Sequence, residues 1–450
     1  MSTDHRRAPR VKHARQSRPL VQLAVIAAAL CALAGIATAQ WLEITIPLPD
    51  TSFPVALCYS TLENKIYCAD YGTGAVTVVD GATNTVVATV AVGDAPGALC
   101  YNPQDNKVYC ANGLTHLRDS TVSIIDCLTD SVIATVVVGR EPRALCYNPQ
   151  NNRIYCASYV DDRLTVIDGA TDTVVATIEV DPNPRSICHA VQENKVYSAH
   201  TSDNTVTVID CATDSVLAVI TADSMPWAVC YNSRDNKVYC ANYLSRNVTV
   251  IDCFTDSVVA VVPVGSEPAV LLYNRHGNKV YCANSYGHSV TVIDGASDSV
   301  LATAGTGGSP YGLCIDTMNN KVYCANLTGN SVTVIDGVTN QAMRTIPVGE
   351  SPSALCYNPP YGRVYISNMY GSSISVLRDS LAGIEEPLWA DAARPSPSTT
   401  VLRAVPAGSD VFDAMGRKLM HAKAGVYFAR EVAGADGQGS VRIRKVVVQR

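Results

Sequence analysis

Sixteen cysteines lie between residues 58 and 356, and they are the first groups in this chain whose type and spacing suggest chemistry. Ten of them form five pairs ten residues apart: Cys58/Cys68, Cys100/Cys110, Cys146/Cys156, Cys230/Cys240 and Cys314/Cys324. Each pair flanks a turn such as Asn102-Pro103-Gln104-Asp105-Asn106, and symmetry about that turn predicts that the two cysteines sit opposite one another. Antiparallel partners are about 4.5–5.5 Å apart at Cα, which permits a disulfide. So short a loop would contribute roughly 2.5–3 kcal/mol. Other copies break the pairing: Cys188 faces Ser198, Cys282 faces Leu272 and Cys356 faces Ile366. One member is lost while the other stays. Small buried apolar residues are therefore the favoured reading, with cross-strand disulfides as the alternative. No Cys-x-x-Cys or Cys/His cluster occurs, so neither a metal nor any other cofactor is expected.

The next candidates are Asp80, Asp126, Asp168, Asp210, Asp252, Asp294 and Asp336, each ending a V-V-D or I-I-D or V-I-D run. Carboxylates could serve calcium or acid–base chemistry. Their place just before a Thr-Asp/Asn-Ser/Thr turn points instead to carboxylates that accept backbone N–H bonds. His189 and His200 replace Tyr and Asn of other copies, but strand alternation places them on opposite faces, where they share no metal and form no dyad. No Ser-His-Asp set, nucleophile elbow or phosphate loop is present, so no enzymatic activity is expected.

The elements that position these residues follow from repetition. The phrase N-K-V-Y-C-A-N begins at Asn64, Asn106, Asn152, Asn194, Asn236, Asn278, Asn320 and, degenerately, Gly362. The spacing is 42 residues except once, when it is 46, through extra residues in 113–120. Each period reads as four short strands. In the second copy they are Ala98–Tyr101, Lys107–Ala111, Thr121–Asp126 and Val132–Val138. A period of this length built from strands is the signature of a β-propeller, one repeat per blade. Both faces of the strands are largely apolar, as suits blades packed between neighbours. Leu42–Pro47 aligns with a fourth strand, and the last copy stops after its third at Leu377, so the N-terminal strand is expected to close the ring. The count is eight blades; a seven-bladed ring is the alternative.

In a propeller the loops joining fourth to first strands, and second to third, share the face around the central channel. The residue after the loop proline changes from blade to blade: Val55, Gly97, Arg143, Arg185, Trp227, Ala269, Tyr311 and Ser353. The second loop set adds Tyr159, Tyr243, Arg246, Tyr286 and His288. Arginines and large aromatics are what recognition surfaces use. Arg143, Arg185, Trp227, Tyr311, Tyr159 and Tyr243 are the candidate ligand-binding residues; ordinary loop side chains are the bland alternative.

Y-C-A-N followed by V-T-V-I-D, T-D-S-V and V-G-x-x-P resembles the YVTN-type β-propeller repeat of bacterial and archaeal surface and secreted proteins, over residues 42–377. Cys stands where that family usually has Val or another apolar residue. The resemblance implies an extracytoplasmic propeller and supplies no catalytic residues.

The ends of the chain differ. Residues 1–39 combine six basic residues with an apolar run from Leu20 to Ala37 and the exit Ala37-Thr38-Ala39, which reads as a signal peptide, with a membrane anchor as the alternative. The mature chain then has no transmembrane segment, and an exported protein is compatible with disulfides. It carries 28 Lys+Arg against 39 Asp+Glu, a net charge of −11. That surface repels phosphate backbones and disfavours nucleic acid as a partner. Residues 381–400 read as a Pro-containing linker. In 401–450, V-F-D-A-M-G-R-K-L, A-G-V-Y-F-A-R and R-K-V-V-V-Q-R resemble the C-terminal sorting domain of type IX secretion cargo and its FlgD-like immunoglobulin relatives. This implies a small β-sandwich-like domain that engages outer-membrane secretion machinery; a β stub without a sorting role is the alternative.

The expectation is an all-β, secreted or cell-surface module that binds a protein, glycan or small anionic ligand at the channel mouth. A lactonase-like hydrolase or lyase on the same face is the enzymatic alternative. A ring that binds partners through its acidic sides is a third.

Overall fold

The computed structural model describes residues 39–114 and 119–380, together with the backbone of five strands between 400 and 448. The expected signal peptide, 1–39, and linker, 381–400, lie outside the described residues except for Ala39 and Thr400, each of which opens a strand. Residues 39–380 form eight four-stranded antiparallel sheets. Blade 1 comprises Pro54–Ser60, Lys65–Asp70, Ala75–Asp80 and Val86–Ala91, and the next six blades repeat this order. In blade 8, Pro352–Asn358, Arg363–Asn368 and Ser373–Ser380 are completed by Ala39–Pro47, which pairs antiparallel with the third strand. The ring therefore has eight blades and closes through its N-terminal strand, which begins three residues before Leu42.

First strands of neighbouring blades pack side by side around the centre, and fourth strands face outward. The second and third strands are buried on both faces, for example Lys237–Asn242 and Asn247–Asp252. Each fully buried Val, Ile or Leu there stabilises the ring by roughly 1.5–3 kcal/mol. The fourth strands, such as Ser215–Thr221, are mostly exposed.

Each letter of the repeated phrase has a separate physical task. The leading Asn turns the first hairpin in the left-handed region, with φ between 50° and 55° from Asn64 to Asn320. Asn tolerates that conformation, and the degenerate eighth copy uses Gly362 at φ 57°. The Lys and Tyr clamp the next blade. Lys65 Nζ and Tyr67 OH both bond the Asp130 carboxylate, at 2.7 Å each, and Lys195 and Tyr197 do the same to Asp256. Blade 8 lacks that turn aspartate, and Asp379 takes its place for Lys321 and Tyr323 while also accepting from Gln40. The Cys thiol donates weakly to the final Asn, as from Cys240 Sγ to Asn242 Oδ1 at 3.7 Å. That Asn spends its amide on the third strand, at 2.8 Å from Thr249 Oγ1.

The cysteines do not face one another. Cys58 pairs with Tyr67 and Leu57 with Cys68, and the other four hairpins share this register. The turn leaves Ser60 opposite Lys65, so opposed residues differ by an odd number, and cysteines ten apart fall on opposite faces. All sixteen cysteines of the described residues are free thiols. Burial pushes them up, Cys100 and Cys156 to about 12 and Cys127 to about 11.

The V-I-D aspartates hold turns. Asp126 Oδ1 accepts from the backbone N–H groups of Leu128 and Thr129 and from the Thr129 hydroxyl, at 2.8–3.0 Å.

Residues 384–450 form a separate unit. Its five strands make one sheet in the order Thr400–Leu402, Ser440–Val448, Gly425–Ala433, Asp410–Phe412 and Lys418–Leu419. The first pairing is parallel and the others antiparallel.

Candidate functional site

Every loop that enters a first strand is built alike. The residue before the proline is left-handed in all eight blades, with φ from 46° to 63°, as at Glu141, Asn183, Met225 and Ser309. A proline then opens the strand, and the residue after it sits in a β-bulge. In blade 3, Pro142 pairs with Ser158 and Ala144 with Ala157, leaving Arg143 without an opposite residue. Arg185, Trp227 and Tyr311 occupy the same bulge in blades 4, 5 and 7. A bulge re-aims the side chain it carries. The strained loop thus presents one variable residue per blade at the mouth of the channel, on a rigid strand end.

Four of these residues line one pocket of about 350 Å³: Arg143, Arg185, Trp227 and Tyr311. Ala269 from blade 6 lies between the two aromatics, and the inner strands supply the apolar floor through Ala228, Val229, Val270 and Leu271. Tyr159 and Tyr243 do not line the pocket but pack against residues that do. The Arg143 guanidinium lies 4.0 Å over the Tyr159 ring, and Trp227 stacks on Tyr243 with centroids 4.7 Å apart. The Arg185 Cζ is 3.3 Å from the Trp227 centroid. All six candidate residues therefore belong to one assembly.

The charges in this assembly are unequal. Arg143 is paired with the buried Glu141 carboxylate at 3.0 Å. The Tyr243 hydroxyl donates to Glu267 at 2.6 Å, and burial with that carboxylate pushes Tyr243 up to about 12. Burial pulls the Arg185 guanidinium down, as does the neighbouring Arg143 charge, while Tyr311 and Tyr159 oppose the fall.

The structure leaves other loop residues apart. Arg246 is exposed, Tyr286 is 71% exposed, and His288 uses Nδ1 to accept the Ser309 N–H. Ser353 bonds Ser367 within its own blade. His189 pairs with Val196 near the hairpin turn, whereas His200 pairs with Pro184 at the far end. Among the described residues, no three His, Cys, Asp or Glu side chains stand close enough to share a metal ion.

Eight lining residues were not among the sequence candidates; seven lie on the first strands beside the candidates, and the eighth is Leu114. Leu114 belongs to the long blade 2 loop, and it covers Gly97, where an added Cβ would meet the Leu114 side chain at 2.8–3.0 Å. The signal was available: the one irregular spacing in the repeat and the one glycine among the post-proline positions fall in the same blade. The missing side chain at Gly97 makes room for Leu114, which lines the pocket from blade 2.

No protein-family model matches this chain, and comparison with curated proteins finds no match. Among solved structures, a hydrazine synthase chain from Kuenenia stuttgartiensis is similar over 76% of this chain and 99% of its own, with a TM-score of 0.52 and 19% identity. At that identity the likeness is one of fold.

Proposed function

We propose that this chain is an exported β-propeller that acts as a non-catalytic recognition module, secreted or held at the cell surface, and that it engages its ligand at the channel mouth. The observation that carries this reading is the convergence of Arg143, Arg185, Trp227 and Tyr311, from four different blades, on one pocket. These positions vary along the chain while the phrase around them repeats. Clustered Arg, Trp and Tyr on a rigid frame are what a binding site needs. The enzymatic alternative, a lactonase-like hydrolase or lyase, requires carboxylates or histidines converging on the mouth. The pocket lining contains neither, and the two carboxylates beside it, Glu141 and Glu267, are bonded to Arg143 and Tyr243.

Export rests on the basic-then-apolar segment at 1–39 and the resemblance of 401–450 to a type IX sorting domain. Among the described residues, no helix is long and apolar enough to cross a membrane. Two experiments test the parts separately. Binding of the purified protein to an array of glycans, peptides and small acids should yield ligands whose signal falls in Trp227→Ala. Fractionation of cells expressing the chain with and without residues 401–450 should show the full chain beyond the outer membrane, at the cell surface or in the medium, and the truncated one retained in the periplasm. Ligands indifferent to Trp227→Ala, or identical fractionation, would reject the respective half.

A further inference from the structure

The channel-mouth pocket holds a guanidinium whose charge nothing in the described protein neutralises. Arg143 has Glu141 at 3.0 Å, and the carboxylate of Glu267 takes the Tyr243 hydroxyl. Arg185 makes no ion pair with any carboxylate of the described residues; its neighbours are Trp227, Tyr311, Tyr159 and the like-charged Arg143. Arg185 is half-buried; withdrawing a cation even partly from water without a counter-ion is costly, and a ligand that supplies the missing charge offsets that cost.

We propose that the pocket is a receptor site for a single carboxylate borne on a compact apolar body, with Arg185 as the residue that grips the carboxylate. This rests on the reading of the mouth as a recognition site and specifies its ligand.

Three features set the chemistry. The first is orientation. Arg185 lies against the Trp227 ring at 3.3 Å, so one face of the guanidinium is taken; beyond its contact with the Tyr311 hydroxyl, its N–H donors, which lie in the guanidinium plane, remain for an acceptor. A planar carboxylate matches that fork with two parallel bonds. The second is charge. With Arg143 already paired, the pocket offers one free positive charge, which suits a monoanion better than a dianionic phosphate. The third is the wall. Ala144, Ala228, Val229, Ala269, Val270 and Leu271 offer aliphatic contact, and the lining has only two hydroxyls, Tyr311 and Ser186, the second already accepting the Val229 N–H, which suits an aryl or branched aliphatic body better than a polyhydroxylated sugar. At about 350 Å³, the space of roughly a dozen waters at about 30 Å³ each, the pocket admits a single ring with its substituent.

The test titrates the full-length protein with benzoate and with benzamide, which share size and shape and differ in charge, by ligand-observed NMR. Glucuronate and inorganic phosphate serve as the acidic-sugar and phosphate arms. We expect benzoate to bind at least tenfold tighter than benzamide, and tighter than glucuronate or phosphate. Arg185→Met should bring the benzoate-to-benzamide ratio to about one, and Arg185→Lys should lose most of it, because an ammonium keeps the charge without the fork. The wild-type ratio alone decides the matter if a variant fails to fold. Equal binding of benzoate and benzamide, or tightest binding of glucuronate or phosphate, overturns the carboxylate assignment while leaving the recognition reading standing. Absence of binding by all four probes also overturns it, and the recognition reading then falls only if the array yields no ligand sensitive to Trp227→Ala.

Discussion

Arg185 and Trp227 come from adjacent blades, yet the Cζ of one lies 3.3 Å from the ring centroid of the other, and Trp227 in turn stacks on Tyr243. Each blade contributes one residue at the same bulge, so the stack exists because successive repeats carry different side chains there. Removing its centre should unlink the assembly. Trp227→Ala is expected to lower ligand affinity at least tenfold and to cost about 1–2 kcal/mol of stability, the range of desolvated cation–π and aromatic contacts. Calorimetric melting and binding by the same variant check both halves.

The pocket's far end depends on an absent side chain. A Cβ at Gly97 would lie 2.8 Å from Leu114 Cβ, so Gly97→Val should expel Leu114 and open the pocket toward blade 2. Stability should change by less than about 1 kcal/mol, because Leu114 lies in a loop that can move aside, whereas ligand affinity should fall. A parallel Leu114→Ala variant should give the same loss of affinity; wild-type binding in both would show that this end is not used.

The interblade clamp has one weak link. Lys279 reaches Asn340 where most blades present Asp, and the buried Tyr281 hydroxyl has no partner among the described residues. Asn340→Asp should supply a carboxylate to both and raise stability by about 1 kcal/mol, seen as a higher melting temperature. The reverse change at a complete clamp, Asp256→Asn, should lower it by a similar amount or more, since Lys195 and Tyr197 both lose their anion.

Two departures from the phrase make opposite predictions with pH. Asp70 replaces the final Asn, and burial raises it to about 6, above its ordinary 3.8. Its folded state therefore favours the proton, and stability from this residue is lost as pH rises from about 4 through 6. Asp70→Asn should stabilise by on the order of 2 kcal/mol at pH 7 and by little at pH 4. His200 is buried with neither ring nitrogen hydrogen-bonded among the described residues, and burial lowers it to about 4 from 6.5. The unfolded chain binds that proton first, so stability falls as pH drops from 6.5 toward 4. His200→Asn should flatten this decline and let the amide bond Thr207, which lacks a partner in blade 4 although its counterparts in blades 5–8 have one. Denaturant titrations at pH 4, 5.5 and 7 measure both.

The cysteines should behave as core atoms. Reductant is expected to leave the mass and the melting temperature unchanged, and an alkylating reagent at pH 8 should modify few thiols in the folded protein but all of them in guanidinium. A mass change of two hydrogens per pair on reduction would contradict the hairpin register.

The ring, its closure strand and its turns were legible in the sequence because they depend on local rules repeated eight times. The period gave the blade, and the strand left over at Leu42–Pro47 gave the closure. The cysteine register was not legible from symmetry alone. A turn leaving Ser60 opposite Lys65 puts residues ten apart on opposite faces, and one residue of difference reverses the conclusion. The variable positions after each proline marked the site, but the bulge that aims them is a property of backbone pairing and leaves no letter in the sequence. Leu114 was missed for a related reason: its place depends on what Gly97 lacks. The interblade clamp was also hidden, since Lys65 and Asp130 are far apart in sequence and the aspartate looks like an ordinary turn residue.

Trp227 offers the most direct measurement of the central claim, that the channel mouth is where this protein binds an anion. The chain has three tryptophans, so Trp41→Phe and Trp389→Phe leave Trp227 as the single reporter. Benzoate should then change its emission along a saturable curve, benzamide should not at the same concentrations, and Arg185→Met should abolish the benzoate response. An emission that ignores benzoate, or that responds equally to both compounds, would contradict the account.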